Sequence, residues 1–290
     1  MERSVACYRR WIAGQEAGLA ELEAASANAA SGRATDAELR AVVARCMLGY
    51  QDYVAGRRAL SPGDGTAFVA PPWCSAFERS MLWLGGCRPS LTIRLLYNLS
   101  GEGLEVQVEE FINGRGPLPR GRMGITPGQL VLINDLHRRT LHQEHALSGR
   151  LATLHEDVAD SPLFPIVRQR AAATAAQLAA ATGCDGAVGR IGVAGPGGVD
   201  AEVDAAMSSY RAGLAQLVAE ADELRMETTR AMATEILTPR QAVEMLAAAK
   251  QLHLSVRDWS RRTEGAGAQQ GLTGPRAVTA NIAAAARRTP

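Results

Sequence analysis

The sequence predicts an all-α fold, and three observations lead there. Alanine, leucine, glutamate and arginine dominate the 290 residues while Phe, Trp and Tyr make up only 4%, a composition of helix formers. Apolar residues recur at three- and four-residue spacing over long segments, as one face of a helix requires. Between those segments lie Ser, Gly and Pro clusters that punctuate helices. The expected architecture is a single helical-bundle domain over residues 1–262, long enough to bury a core. A disordered tail is expected over 263–290, where Gly, Ala, Thr and Gln leave few large apolar groups to bury.

From Ser4 to Ala25, Val5, Tyr8, Trp11, Ile12, Gln15, Leu19 and Leu22 keep to one broad helical face. Residues 26–34, SANAASGRA, read as a small polar linker. Thr35 or Asp36 can cap the next helix, with Glu38 in its first turn. That helix runs to about Arg58, carries Leu39, Val42, Val43, Cys46, Met47, Tyr50, Tyr53 and Val54, and is expected to stop at Ser61-Pro62-Gly63-Asp64-Gly65.

The stretch Pro71 to Leu99 organises what surrounds it. Phe77, Met81 and Leu82 stand at helical spacing, Gly85-Gly86 breaks the helix, and Pro89 fits the first turn of another that carries Leu95, Leu96 and Leu99. Two short apolar helices should therefore meet at a sharp corner, with Trp73 and Trp83 adding buried bulk. Glu78 is the anomaly, a carboxylate in an apolar helix. Once buried it needs a cation, and Arg88 and Arg94 are near enough in sequence to reach it across the corner.

Glu105 to Ile112 suggests a short helix, and GRGPLPRGR at 114–122 no rigid element. A long helix begins near Thr126-Pro127 and runs to about Asp160, roughly 50 Å at ~1.5 Å per residue, until Ser161-Pro162 ends it. An alanine-rich helix spans Pro165 to Thr182, and a glycine-rich loop spans 183–200. A helix then runs from Asp200 to Ile236, and a last one from Thr238-Pro239 to near Trp259.

Composition and motifs exclude several classes of function. Net charge is +1, from 31 basic and 30 acidic residues, and the basic pairs Arg261-Arg262 and Arg287-Arg288 are too few for a polyanion footprint, so no direct nucleic-acid binding is expected. Nowhere do 18 apolar residues run together, and MERSVACYRR lacks the apolar core of a signal peptide, so no membrane association is expected. The five cysteines, at positions 7, 46, 74, 87 and 184, are scattered and form no CxxC pair, a usage that fits a reducing compartment, nuclear or cytoplasmic. Cys74 and Cys87 read as core or near-core residues. His137, His142, His145 and His155 lie on the long helix at angles that do not converge, and HQEH is not HExxH, so no metal site is expected. GPGGVD at 195–200 opens a helix but has no preceding strand and no GK[ST], which makes it a connector. No nucleophile motif such as GxSxG occurs, and the chain reads as no enzyme.

LWLGGCRPSLTIRLLY, residues 82–97, resembles the signature of the plant Delay of Germination family and, more distantly, the C-terminal domain of TGA-type transcription factors. The long-helix segment Ile133 to Asp160, INDLHRRTLHQEHALSGRLATLHEDVAD, and AEADELRMETTRAMATEILTPRQAVEMLAAAKQLHLSVRDW, Ala219 to Trp259, resemble the same family in the same order. A looser likeness around Tyr8 and Trp11 extends the match over about residues 5–260. The resemblance makes Trp83, Gly85, Gly86, Arg88 and Pro89, with Glu78, the structural signature. It implies a regulatory role in seed dormancy and abscisic acid signalling through protein partners, with type 2C protein phosphatases contacted near Tyr8, Trp11 and Gln15; core packing is the other reading of those three. It also implies haem at a histidine pair four residues apart, of which this chain has His253 but Arg257 in the second place. The basic zipper of TGA factors is absent, so a role in transcription would run through a partner. Binding of an apolar ligand in the helical core and self-association into a homo-oligomer are left open.

Overall fold

The computed structural model describes residues 1–100, 123–182 and 196–272, and among them the regular structure is helical apart from one antiparallel bridge between Trp83 and Gly86. The elements are α1 (Glu2–Ala30), α2 (Asp36–Val69), α3 (Ala76–Ser80), α4 (Pro89–Ser100), α5 (Pro127–Val158), α6 (Phe164–Thr182), α7 (Pro196–Arg230) and α8 (Pro239–Leu272). The expected elements at 105–122, the loop at 183–195 and the tail at 273–290 lie outside the described residues.

Local signals start the helices where the sequence places them. Thr35 and Glu38 form a reciprocal capping box on α2, as do Thr126 and Gln129 on α5, with Pro127 in the first turn. At α8 the Gln241 amide N–H donates to the Thr238 hydroxyl at 3.4 Å, and the Thr238 N–H donates to Gln241 Oε1 at 2.9 Å.

Where the helices end differs more. The expected linker at 26–34 is helical as far as Ala30, because its small residues contain no breaker before Gly32, whose φ of +68° turns the chain. Ala25 and Ala29 pack on the core. The expected stop at Ser61–Gly65 is not one, since α2 runs through Pro62 to Val69. Ser61, Gly65 and Phe68 are buried at helical spacing, and a Cβ on Gly65 would touch Ala215 of α7 at 3.4 Å. Packing along α7 outweighs the hydrogen bond that proline removes.

Conversely, α5 stops at Val158, and a wide π-type turn, Ala159–Leu163, follows. Ser161 is extended there (φ −148°, ψ 113°) because the next residue is proline. α8 continues past the expected boundary at 262 to Leu272, helped by Glu264, whose carboxylate accepts the Ala76 N–H at 2.6 Å.

Two apolar clusters hold the helices together. The larger joins α1, α2, α4, α5 and α8 through Leu22, Val43, Ile93, Leu96, Leu130, Ile133, Val243 and Leu246. The smaller sets Trp83 and Leu84 against Leu147 of α5 and Leu217, Ala221 and Leu224 of α7. Each large side chain fully withdrawn from water contributes roughly 1.5–3 kcal/mol. Phe77 and Met81, expected inside, are 39% and 50% exposed, because α3 ends at Ser80 after little more than one turn and cannot present a continuous inner face.

Candidate functional site

The corner between α3 and α4 is held by charged side chains from distant parts of the chain. Leu84 (φ +46°) and Gly85 (φ +73°) turn the backbone through the left-handed region, and the Trp83 N–H donates to the Gly86 carbonyl at 2.8 Å. Only glycine fits at 85, where a Cβ would lie 2.3 Å from the Phe68 carbonyl oxygen. Arg57 of α2 donates to the Gly85 carbonyl at 2.8 Å and pairs with Asp222 of α7 at 3.1 Å. Arg225, one turn further along α7, donates to Asp222 at 2.6 Å, to the Cys87 carbonyl at 2.7 Å, and to the carbonyls of Trp83 and Leu84. Burial pulls the Arg225 guanidinium below its ordinary range, against the upward pull of Asp222. The Trp83 indole donates to Ser148 at 2.9 Å. Glu144 of α5, buried, accepts the Ser90 N–H at 2.8 Å and hydroxyl at 3.0 Å, which sets a carboxylate at the N-terminus of α4.

Glu78 is buried, as its sequence context suggested, but its cation is neither Arg88 nor Arg94. One of its oxygens accepts the Ser75 N–H at 2.7 Å in a capping box, and the other pairs with Arg257 of α8 at 3.5 Å. Arg88 lies over the Trp83 ring at 5.8 Å, and Arg94 is exposed on α4. Neighbours in sequence were displaced by a neighbour in space. Arg257 also donates to the Tyr8 hydroxyl at 2.5 Å and covers its ring at 5.1 Å, so α1, α3 and α8 meet at one guanidinium. Cys74 donates to the same hydroxyl at 3.6 Å, and burial raises the Tyr8 pKa well above the usual phenol range.

Tyr8 and Gln15 are buried, at 6% and 3% exposure, so they present no contact surface, and Trp11 is half-buried. Trp11 stacks on Tyr53 with centroids 4.3 Å apart and an interplanar angle of 10°. Gln15 Oε1 accepts from Lys250 Nζ at 3.1 Å, and that ammonium faces the rings of Tyr50 at 5.0 Å and Trp11 at 5.8 Å. Burial draws the Lys250 pKa down, while the adjacent Cys46 thiol opposes the shift. Lys250 closes the floor of a half-open groove of about 640 Å³ between α1 and α2.

The sequence is similar to a known set of proteins. The family model described as seed dormancy control, DOG1, matches residues 18–98, from the middle of α1 through the corner to α4. DOG1-like 3 of Arabidopsis thaliana is 32% identical over 267 residues, which cover 89% of this chain and 84% of that protein. The chain belongs to the DOG1 family. RESPONSE TO ABA AND SALT 1 of Arabidopsis thaliana is similar at 27% identity over 74% of this chain and 75% of its own length. Transcription factor TGA2.2 of Oryza sativa subsp. japonica is similar at 28% identity over 83% of this chain and 58% of its own length.

Within this DOG1-family chain the histidine expected to hold haem lies open. His253 is exposed on α8; crowding by neighbouring atoms lowers its imidazole pKa, an effect that the solvent reaching the ring limits. Position 257 offers no second imidazole, and its arginine is occupied by Glu78 and Tyr8. The two positions thus offer one imidazole, on an open helix face. His142, His145 and His155 are exposed on α5, and the half-buried His137 stands edge-on to Tyr97 at 5.7 Å. Among the cysteines, Cys46 is buried and Cys74 half-buried, but Cys87 is exposed at the corner, contrary to expectation. Arg57, Glu144, Asp222, Arg225 and Lys250 were not singled out from sequence. Arg57, Asp222 and Lys250 do, however, fall at seam spacing within apolar helix faces.

Proposed function

We propose that this chain is a non-enzymatic regulator of seed dormancy and the abscisic acid response that works by binding other proteins, type 2C protein phosphatases among them. The observation that supports the reading is an exposed apolar patch. Phe77 of α3 and Trp259 of α8 meet edge-on with centroids 4.7 Å apart, at 39% and 49% exposure. Leu252, 51% exposed, lies two turns back on the same face of α8. Exposed rigid aromatics with an aliphatic group on the same face are what the centre of a protein interface uses. The charged groups beneath them, Glu78 and Arg257, satisfy each other, so the patch offers apolar area without an unpaired charge.

Contact through Tyr8 and Gln15 would need them to leave the core, so the docking face is assigned to Phe77 and Trp259. Among the described residues no helix is long and apolar enough to cross a membrane. The likeness to TGA2.2 supports action in the nucleus, where a DNA-binding partner would supply the contact to DNA. Capture of a plant type 2C phosphatase catalytic domain on immobilised protein tests the reading. The Phe77→Ala/Trp259→Ala double variant should lose at least tenfold in capture, corresponding to ~1.4 kcal/mol, with its helical circular dichroism retained. Capture equal to wild type would refute it.

A further inference from the structure

The groove between α1 and α2 ends on a buried cation with neutral neighbours. Lys250 is 3% exposed, and no carboxylate of the described residues lies within ion-pair distance of its Nζ. Its partners are the Gln15 side-chain oxygen, the Cys46 thiol and two aromatic faces. A buried ammonium is normally matched by an anion, because neutral dipoles recover only part of its lost hydration. Here no side chain of the described residues supplies that anion, and the groove beside the ammonium has room for one.

That space is shaped for a small molecule. At about 640 Å³ the groove lies within the range of small-molecule sites, with Trp11 stacked on Tyr53 forming one wall and Leu22 and Val42 adding apolar surface. Gly14 and Gly49 line it beside open space, since a Cβ on either would meet no atom within 4 Å. Gly18 lets the lysine reach α1, as a Cβ there would stand 3.2 Å from Lys250 Cε and Nζ. We infer that this groove binds a small apolar or aromatic monocarboxylate, its carboxylate on Lys250 Nζ and its body against Trp11.

Charge selects this class. Of the other basic groups lining the groove, Arg45 pairs with Glu21, and the charge of Arg10 is offset by that of Asp52, which lines the same groove. One ammonium at the floor therefore suits one negative charge, while Glu21 and Asp52 disfavour phosphates and dicarboxylates. A cation would meet Lys250, and a neutral molecule would leave its charge unmatched. The inference does not depend on the docking patch, which lies on other residues.

Isothermal titration of the full chain with 2-naphthoate and octanoate, against 2-naphthalenemethanol and 1-octanol as neutral counterparts, tests it. At least one carboxylate should bind with one-to-one stoichiometry and at least tenfold more tightly than its alcohol, and Lys250→Met should erase that preference. Gly49→Leu keeps Lys250 and fills the groove from an open helical position, so it should weaken the carboxylate at least tenfold with no loss of melting temperature. Failure of both carboxylates to saturate wild-type protein at millimolar concentration would overturn the inference. So would equal affinity for acid and alcohol, or affinities untouched by Gly49→Leu.

Discussion

Asp222→Asn is the sharpest test of the buried ionic frame. The substitution keeps the shape of the side chain and removes its charge. Asp222 lies between two arginines, 3.1 Å from Arg57 Nε and 2.6 Å from Arg225 Nη1, with side-chain exposures of 5%, 3% and 14% for the three residues. Without the charge, two buried guanidiniums face each other with only the backbone carbonyls of the corner to solvate them. Breaking a buried pair costs ~3–5 kcal/mol. At ~2–4 °C per kcal/mol for a folded body of this size, the melting temperature should drop by roughly 6–20 °C. Thermal and urea melts followed by circular dichroism measure the loss, and the near-ultraviolet signal of Trp83 reports whether the corner loosens with it. A double-mutant cycle of Arg57→Met and Asp222→Leu should show coupling of at least ~1 kcal/mol, because Asp222→Leu alone leaves two buried guanidiniums facing each other, whereas the double variant leaves only Arg225. A melting temperature within about 2 °C of wild type, or an additive cycle, would refute the reasoning.

Three further outcomes are expected. Gly85→Ala should destabilise by more than the ~1–2 kcal/mol of a left-handed backbone alone, because its methyl would also meet the Phe68 carbonyl 2.3 Å away; a urea midpoint equal to wild type would contradict this. The Lys250 pKa is depressed in the folded state, so between that value and the ordinary lysine range the unfolded chain binds more protons and this residue's contribution to stability rises with pH. Buried Cys46 has a raised pKa and acts in the opposite sense. Alkaline melts should therefore show wild type losing stability less steeply than Lys250→Met, and parallel curves would remove the argument. Hemin added to wild type and to His253→Ala should give the same Soret spectrum, and a band shift that depends on His253 would establish the haem site that the open geometry argues against.

The helix starts were legible because their signals are local. Thr35 with Glu38, Thr126 with Pro127, and Thr238 with Pro239 each act within a few residues of themselves. What depends on tertiary contact was not legible. Pro62 reads as a stop until α7 is seen packed along Gly65. Glu78 announced that it needed a cation but could not say that Arg257 would supply it. Periodicity assigns charged residues to the solvent side, which is why Arg57, Asp222 and Lys250 went unnoticed. Their positions carried a usable sign. Lys250 follows Val243 and Leu246 at seven and four residues, and Asp222 follows Val218 at four. A charge in the middle of an apolar seam is either an error in the seam or a buried ion.

The origin of those buried ions bears on which part of the chain is the folding unit. The family-defining stretch, residues 18–98, contains α3, a helix of five residues. So short a helix does not persist alone, since nucleation costs more than one turn of hydrogen bonds returns. Its turn is fixed by Arg225, its buried carboxylate by Arg257, and the following helix start by Glu144. Each of these lies beyond residue 98. The corner is therefore a product of the assembled bundle, formed when α5, α7 and α8 dock and lost when they leave. Phe77 of the exposed patch is carried by α3, and Trp259 by the helix that holds α3 in place. A surface built across two such segments exists only in the folded chain, which ties the proposed docking face to the Glu78–Arg257 pair that joins α3 to α8.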